Sequence, residues 1–380
     1  MTNQRLYVIA GEASGDLHGS NLAKALLAIN PRLTIRGWGG DLMSAAGVDV
    51  VKHYRELAFM GFAEVVKHLP EILRNFKKCK EDILAFQPDA VVLIDYPGFN
   101  IRMAKWLKQQ GIKVIYYIAP QVWAWNASRV HTLKKVVDLM LVILPFEKEF
   151  FKKYNMEVQY VGHPLMEARD TFLKEKYADI ERSKSGKKTI ALLPGSRKQE
   201  IKTVLPLMLS ALADFPDARF VIAGASAQND EFYKSIVKAT TGKSLQGHTQ
   251  IEYVKGKTYH LLSRADAALV TSGTATLETA LFKVPQVVCY KGSYLSYQIA
   301  IRVIRVPYIS LVNLIMNKPF VTELIQEELN PERIKKELER LLDPGLEKHF
   351  ATEYSELESL LRQEKPASQK AAEFIIAALA

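Results

Sequence analysis

The feature that most constrains this chain is the alternation, almost from end to end, of short apolar runs with longer helical patterns. Runs at Leu6–Ala10, Leu33–Gly37, Ala90–Ile94, Val114–Ile118 and Leu139–Leu144 are followed, after a gap, by Thr189–Leu193, Arg219–Ala223, Gln250–Val254, Ala267–Val270 and Gln286–Tyr290. They are rich in Val, Ile and Leu and mostly lack polar alternation, as strands covered on both faces of a parallel sheet do. Helical patterns such as Gly19–Ala28 and Val65–Phe76 lie between them. Repeated strand–helix units predict an α/β chain with two open, doubly wound parallel sheets.

The break between the halves is expected near Asp170–Lys188, where KEKYADIERSKSGKK is charged and precedes a new strand. This predicts domains over residues 1–170 and 171–349. From Pro331 onward there are only amphipathic helical patterns, and the helices over about 350–380 are left to pack on the first domain or on a partner chain. In doubly wound sheets ligands bind outside the carboxyl ends of the strands, so the expected site is a cleft where the two sets of strand ends face each other.

With 48% hydrophobic and 24% charged residues, the chain is not a disordered, collagen-like or disulfide-scaffold protein. The two cysteines, Cys79 and Cys289, are predicted to be reduced. No run reaches the ~18 apolar residues of a spanning helix, and the amino terminus reads as a strand rather than a signal peptide, so a soluble or peripheral protein is expected. The formal net charge of +10 favours anionic partners: phosphorylated small molecules, nucleic acid or an anionic membrane surface.

Five loops follow strands and carry polar groups. Gly11–Gly19 (GEASGDLHG) opens a helix, and its glycines and amides suit an anion, although it is neither a P-loop nor GxGxxG. Ser14 or Asp16 could equally be a helix cap there. Asp95, in IDYPGFN, ends an apolar strand, where a buried carboxylate can act as a base or serve as a turn residue before Pro97. Trp123 and Trp125, in APQVWAWNASRV, read as core or as an apolar ligand wall, with core expected for at least one. Gly195, Ser196 and Arg197 form an anion-binding turn at a helix start, suited to a diphosphate. Ser272, Gly273 and Thr274 repeat that arrangement. Glu278, one turn further on, could accept both hydroxyls of a ribose or simply favour the helix dipole. There is no HExxH, CxxC or carboxylate-x-carboxylate triplet, so no metal site and no cofactor are expected. Among the histidines His163 is the most site-like, although a structural role is the favoured reading.

In this order the segments GEASGDLHG, ELAFMGFAEVV, IDYPGFN, APQVWAWNASRV, LPFEKEF, VGHPL, LLPGSR, TSGTATLE and SLVNLI resemble the lipid-A-disaccharide synthase family over nearly the whole chain. The resemblance implies a GT-B-type fold, two Rossmann-like domains facing a cleft with the final helices returning to the first. It implies a peripheral enzyme on the cytoplasmic face of the inner membrane. Its reaction joins a UDP-diacylglucosamine donor to a diacylglucosamine 1-phosphate acceptor, inverting the anomeric centre without a metal. The first domain would hold the acceptor and the second UDP. Asp95 matches the family's strand-end base. Glu12, Ser14 and Asp16 match the first glycine loop, with positioning roles. Gly195, Ser196 and Arg197 match the diphosphate loop, Ser272–Thr274 the phosphate-facing amides, and Glu278 the ribose carboxylate. Asn313 and Gln326 match later donor-side positions. Where the family often has Asp, this chain has Gly98.

The apolar positions 65, 66, 69, 72, 73 and 76 share one helical face, with Lys67, Arg74, Lys77, Lys78 and Lys80 around it and Leu57–Phe62 just before. Pro70 is expected to kink or split this helix. The segment reads equally as a membrane-contacting surface admitting acyl chains and as an ordinary core helix. A homodimer is left open. The rival functions are a UDP-N-acetylglucosamine 2-epimerase-like enzyme, a non-catalytic scaffold and a nucleotide- or RNA-binding protein. The last is disfavoured because the basic residues are dispersed, so no nucleic-acid partner is expected.

Overall fold

The computed structural model describes residues 4–57, 69–176, 186–225 and 227–379. The chain divides into two compact units, one formed by Met1–Pro164 with Arg362–Ala380 and the other by Leu165–Leu361.

The first unit holds seven parallel strands: β1 (Arg5–Ala10), β2 (Thr34–Gly39), β3 (Asp49–His53), β4 (Ala90–Ile94), β5 (Lys113–Tyr117), β6 (Leu139–Val142) and β7 (Gln159–Tyr160). Their order is β3-β2-β1-β4-β5-β6-β7. The second unit holds six: β8 (Thr189–Leu193), β9 (Arg219–Gly224), β10 (Ile251–Lys255), β11 (Ala267–Thr271), β12 (Gln286–Tyr290) and β13 (Thr322–Ile325), in the order β10-β9-β8-β11-β12-β13. Every pairing in both sheets is parallel. Strand order reverses direction between β1 and β4 and again between β8 and β11. Crevices open at such switch points, so the loops after these four strands are the ones placed to bind ligands.

Burial explains the central strands. Ala90–Ile94 and Ala267–Thr271 are buried at every position, which only helices on both faces of a sheet can achieve. One face of the first sheet packs Tyr7, Val91 and Tyr116 beneath Cys79 and Ile83. Those two lie in the Leu69–Phe86 helix, whose described inner side also stacks Phe76 on Phe99 at 4.2 Å. Pro70 lies in the first turn of that helix as described. Leu73 is exposed rather than part of the packed face. Residues 58–68, which include the first part of the expected membrane segment, lie outside the described residues. Cys79 and Cys289 are free and buried.

The unit boundary falls earlier than the charged segment suggests. The Pro164–Lys176 helix is tied within the second unit by Arg169, which donates to the Leu281 carbonyl at 3.2 Å and pairs with Glu358 at 3.0 Å. The Glu347–Leu361 helix also belongs to the second unit, not the first. Lys318 pairs with its Glu353 and Glu356, and Phe320 packs edge-on against Tyr354. Only the Ala367–Leu379 helix returns to the first unit, placing Ala371, Ala372 and Ile375 among Leu22, Ala23 and Leu26.

Candidate active site

In the first unit the switch-point loops after β1 and β4 touch. A Cβ on Gly11 would lie 2.3 Å from the Tyr96 ring, so only glycine permits this approach. Asp95 and Tyr96 both adopt left-handed backbone, with φ of 43° and 45°. Two such residues in succession are strained, and strain of this kind persists only where the surroundings hold it. Here the Asp95 carbonyl accepts from Asn100 Nδ2 at 2.9 Å and from the Tyr116 hydroxyl at 2.7 Å, while its N–H donates to Tyr117. Pro97 then starts the next helix. The turn presents the Asp95 carboxylate at the end of the sheet. Burial, and then the charge of Glu12, push it up to about 7, against a hydrogen bond from the Tyr96 N–H. A carboxylate held near 7 is matched to accepting a proton at neutral pH.

A second carboxylate lies behind it. Glu147 is buried and accepts from Trp123 Nε1 at 3.1 Å and from the N–H groups of Ile143 and Leu144 at 3.1 and 2.9 Å. Burial still pushes it up to about 7, with a further rise from the charge of Asp95. His18 and His163 are held neutral in their buried surroundings, lowered to about 4 and about 3 by desolvation.

In the second unit the loops after β8, β9 and β11 enclose a cavity of 420 Å³. Gly195 has φ 101°, and a Cβ there would sit 2.8 Å from the Glu200 carboxylate. Arg197 lines the cavity, is exposed, and pairs with Glu200 at 3.2 Å. Gly273, with φ 146°, opens the Thr274–Leu281 helix, so its first amides face outward at the β11 switch loop. Glu278 lines the same cavity, its carboxyl raised by burial despite a hydrogen bond from the Tyr259 hydroxyl at 3.2 Å. The Thr271 hydroxyl is buried without a hydrogen-bond partner. Amides, a guanidinium and an oriented carboxylate within one cavity can bind a diphosphate and a vicinal diol together.

The chain matches the model of the lipid-A-disaccharide synthetase family over residues 6–378. It belongs to that family. It is 39% identical to the lipid-A-disaccharide synthase of Syntrophus aciditrophicus over 368 residues, 95% of this chain and 94% of that one. It is 37% identical to the one from Geobacter sulfurreducens, over 90% and 88% of the two chains. Among solved structures, a putative UDP-N-acetylglucosamine 2-epimerase from Listeria monocytogenes aligns with TM-score 0.68 at 14% identity, over 100% of this chain and 96% of that one. The UDP-GlcNAc 2-epimerase from Neisseria meningitidis bound to UDP-GlcNAc aligns with TM-score 0.61 at 12% identity, covering 99% and 98%. The glycotransferase of kitacinnamycin aligns with TM-score 0.65 at 13% identity, covering both chains fully. These distant likenesses show the shared fold of GT-B glycosyltransferases and epimerases.

Of the positions expected from the family, Gly195, Ser196, Arg197, Ser272, Gly273, Thr274 and Glu278 all line the one cavity. In the first unit, Asp95 and Glu12 interact electrostatically, and Ser14 is exposed at the helix start. A Cβ at Gly98 would meet nothing within 4 Å.

Three of the expected site residues are engaged with the backbone of their own units. Asp16 is the first. It is buried, and its carboxylate accepts from the N–H groups of Gly40, Leu42 and Met43 at 2.8, 3.1 and 3.0 Å, capping the Asp41–Ala45 helix. The Asn313 amide bridges Val321 in both directions and donates to Glu323 at 2.9 Å. Gln326 clasps the backbone of Gly292. Of the two tryptophans Trp123 is core, while Trp125 is exposed beneath the Arg129 guanidinium at 4.5 Å.

The Asp16 assignment predicts a stability effect. Asp16→Ala leaves three amides without their acceptor and should cost about 2–4 kcal/mol, lowering the melting temperature by several degrees. An unchanged melting temperature with lost activity would instead give Asp16 a direct role at the site.

Proposed function

We propose that this chain is an inverting glycosyltransferase of lipid A biosynthesis. It condenses UDP-2,3-diacylglucosamine with 2,3-diacylglucosamine 1-phosphate to give the β-1,6-linked disaccharide 1-phosphate and UDP. The family match along residues 6–378 carries this reading. Asp95 takes the proton of the acceptor's 6-hydroxyl as that oxygen attacks the donor's anomeric carbon. The bond from that carbon to the UDP oxygen breaks on the opposite face, and UDP departs with the electron pair. Glu12 keeps Asp95 basic through its charge. Arg197 and the amides at Gly195 and Ser272–Thr274 receive the charge that develops on the leaving diphosphate. Glu278, oriented by Tyr259, holds the ribose. Incubating the protein with both lipid precursors and weighing the product by mass spectrometry tests the reading. The disaccharide 1-phosphate is expected, whereas epimerised UDP-sugar with no disaccharide would overturn it.

Both substrates carry acyl chains, so the enzyme works at the inner-membrane surface. Among the described residues no helix is long and apolar enough to cross a membrane. Arg74, Lys77 and Lys78 are exposed on the Leu69–Phe86 helix beside exposed Leu73, and Lys80 lies over the Trp106 ring at 5.3 Å. This basic side supports contact with anionic lipid. Changing Lys77, Lys78 and Lys80 to Gln should weaken co-sedimentation with phosphatidylglycerol vesicles by roughly a hundredfold, since each near-surface cation contributes about 1 kcal/mol. Undiminished co-sedimentation would remove this helix from the membrane contact.

A further inference from the structure

The second unit carries an exposed apolar feature that the reaction does not use. Nine large hydrophobic residues are exposed among the described residues, and three of them, Ile301, Val303 and Ile304, fall within four consecutive positions, 51%, 39% and 40% exposed. The others do not run together in this way along the chain. Arg302 and Arg305 are interleaved with them, and both are exposed. Arg302 donates to the carbonyl of Gln298 at 2.9 Å, one turn back in the Tyr294–Val303 helix, so its stem follows the helix end. Folding normally hides aliphatic β-branched side chains, and an exposed run of them marks a contact surface.

We infer that Ile301–Arg305 is a second membrane-docking element, on the donor-binding unit, whose Ile and Val side chains enter the headgroup boundary while Arg302 and Arg305 pair with lipid phosphates. The choice of a lipid surface rests on the proposed function, in which the donor itself is acylated. The chemistry agrees. Guanidinium groups bind phosphate oxygens in pairs, and apolar residues beside basic ones are the signature of interfacial segments. A nucleic-acid surface would want aromatic platforms, which these five residues lack. Five residues also fall far short of the ~800 Å² per partner of a stable protein interface.

The test uses the full chain and vesicles of phosphatidylethanolamine with phosphatidylglycerol, against vesicles of phosphatidylcholine alone. The Arg302→Gln, Arg305→Gln variant should bind anionic vesicles roughly thirtyfold more weakly, with a flatter salt dependence. The Ile301→Ser, Val303→Ser, Ile304→Ser variant should lose roughly tenfold or more on both vesicle types. Both variants should keep parental UDP release on detergent-dispersed substrates and lose it on vesicle-embedded ones. Vesicle binding equal to the parent in both variants would overturn the inference. So would a parent that is dimeric by light scattering and becomes monomeric in the serine variant with unchanged vesicle binding, which would assign the patch to a second copy. A parent that binds vesicles through these residues yet makes no disaccharide would overturn the proposed function and leave the docking element standing.

Discussion

Asp95→Asn should lower turnover by roughly two to four orders of magnitude, the usual contribution of a positioned general base, while UDP binds as before. Asn is the informative replacement. It tolerates left-handed backbone, so the strained turn at φ 43° survives and the melting temperature should hold. What is lost is the proton acceptor. The parent enzyme carries its own signature of that acceptor. Asp95 is pushed up to about 7, so kcat/KM should fall tenfold per pH unit as pH drops below about 7 and Asp95 takes up a proton. Glu12 is one cause of that rise, after burial. Glu12→Gln should therefore move the acidic limb to lower pH. A limb that stays in place would show that Glu12 does not act through Asp95. A limb that moves to higher pH would reverse the sign of the coupling.

Glu278→Gln should weaken UDP binding by roughly ten- to a hundredfold, because hydrogen bonds to a charged acceptor contribute about 1.5–3 kcal/mol. The loss should appear in the donor KM, with the acceptor KM unchanged and kcat affected less. The carboxyl is raised by burial, so donor affinity should also decline as pH falls toward that raised value and the proton occupies the diol-binding oxygen. The Gln variant should lack this decline. Tyr259→Phe removes only the hydroxyl that orients Glu278 at 3.2 Å, and a smaller donor defect is expected. Equal UDP affinity in parent and Glu278→Gln, by calorimetry, would take the carboxylate out of the donor site.

The central strands were legible because burial on both faces writes itself as continuous Val, Ile and Leu. The strands that escaped this reading are of another kind. Asp49–His53 and Thr322–Ile325 are edge strands with polar and half-exposed positions, and Gln159–Tyr160 is only two residues long. The first helix begins at Ala13 rather than Gly19, since Ser14, Gly15 and Asp16 read as loop when their partners are unseen. Distant partners also engage several of the expected site residues. Asp16 looks like a ligand group in its own loop, but its three amides come from residues 24 to 27 positions downstream. Asn313 and Gln326 are likewise spent on the distant backbone of Val321 and Gly292. Glu147 escaped notice for the converse reason. In LPFEKEF it looks like one more solvated charge, and only the packing of Trp123 and the turn at Ile143–Leu144 buries it. The switch-point loops stood out because glycine, hydroxyl and charge follow directly on apolar strands, a juxtaposition that needs no tertiary knowledge.

The most direct test is release of UDP from UDP-2,3-diacylglucosamine in detergent with EDTA, with and without 2,3-diacylglucosamine 1-phosphate, for the parent and for Asp95→Asn. The account predicts EDTA-resistant release that requires the acceptor in the parent and is nearly abolished in Asp95→Asn, which still binds UDP. Acceptor-dependent release at the parental rate in Asp95→Asn, or no acceptor-dependent release by a parent that binds UDP, would contradict it.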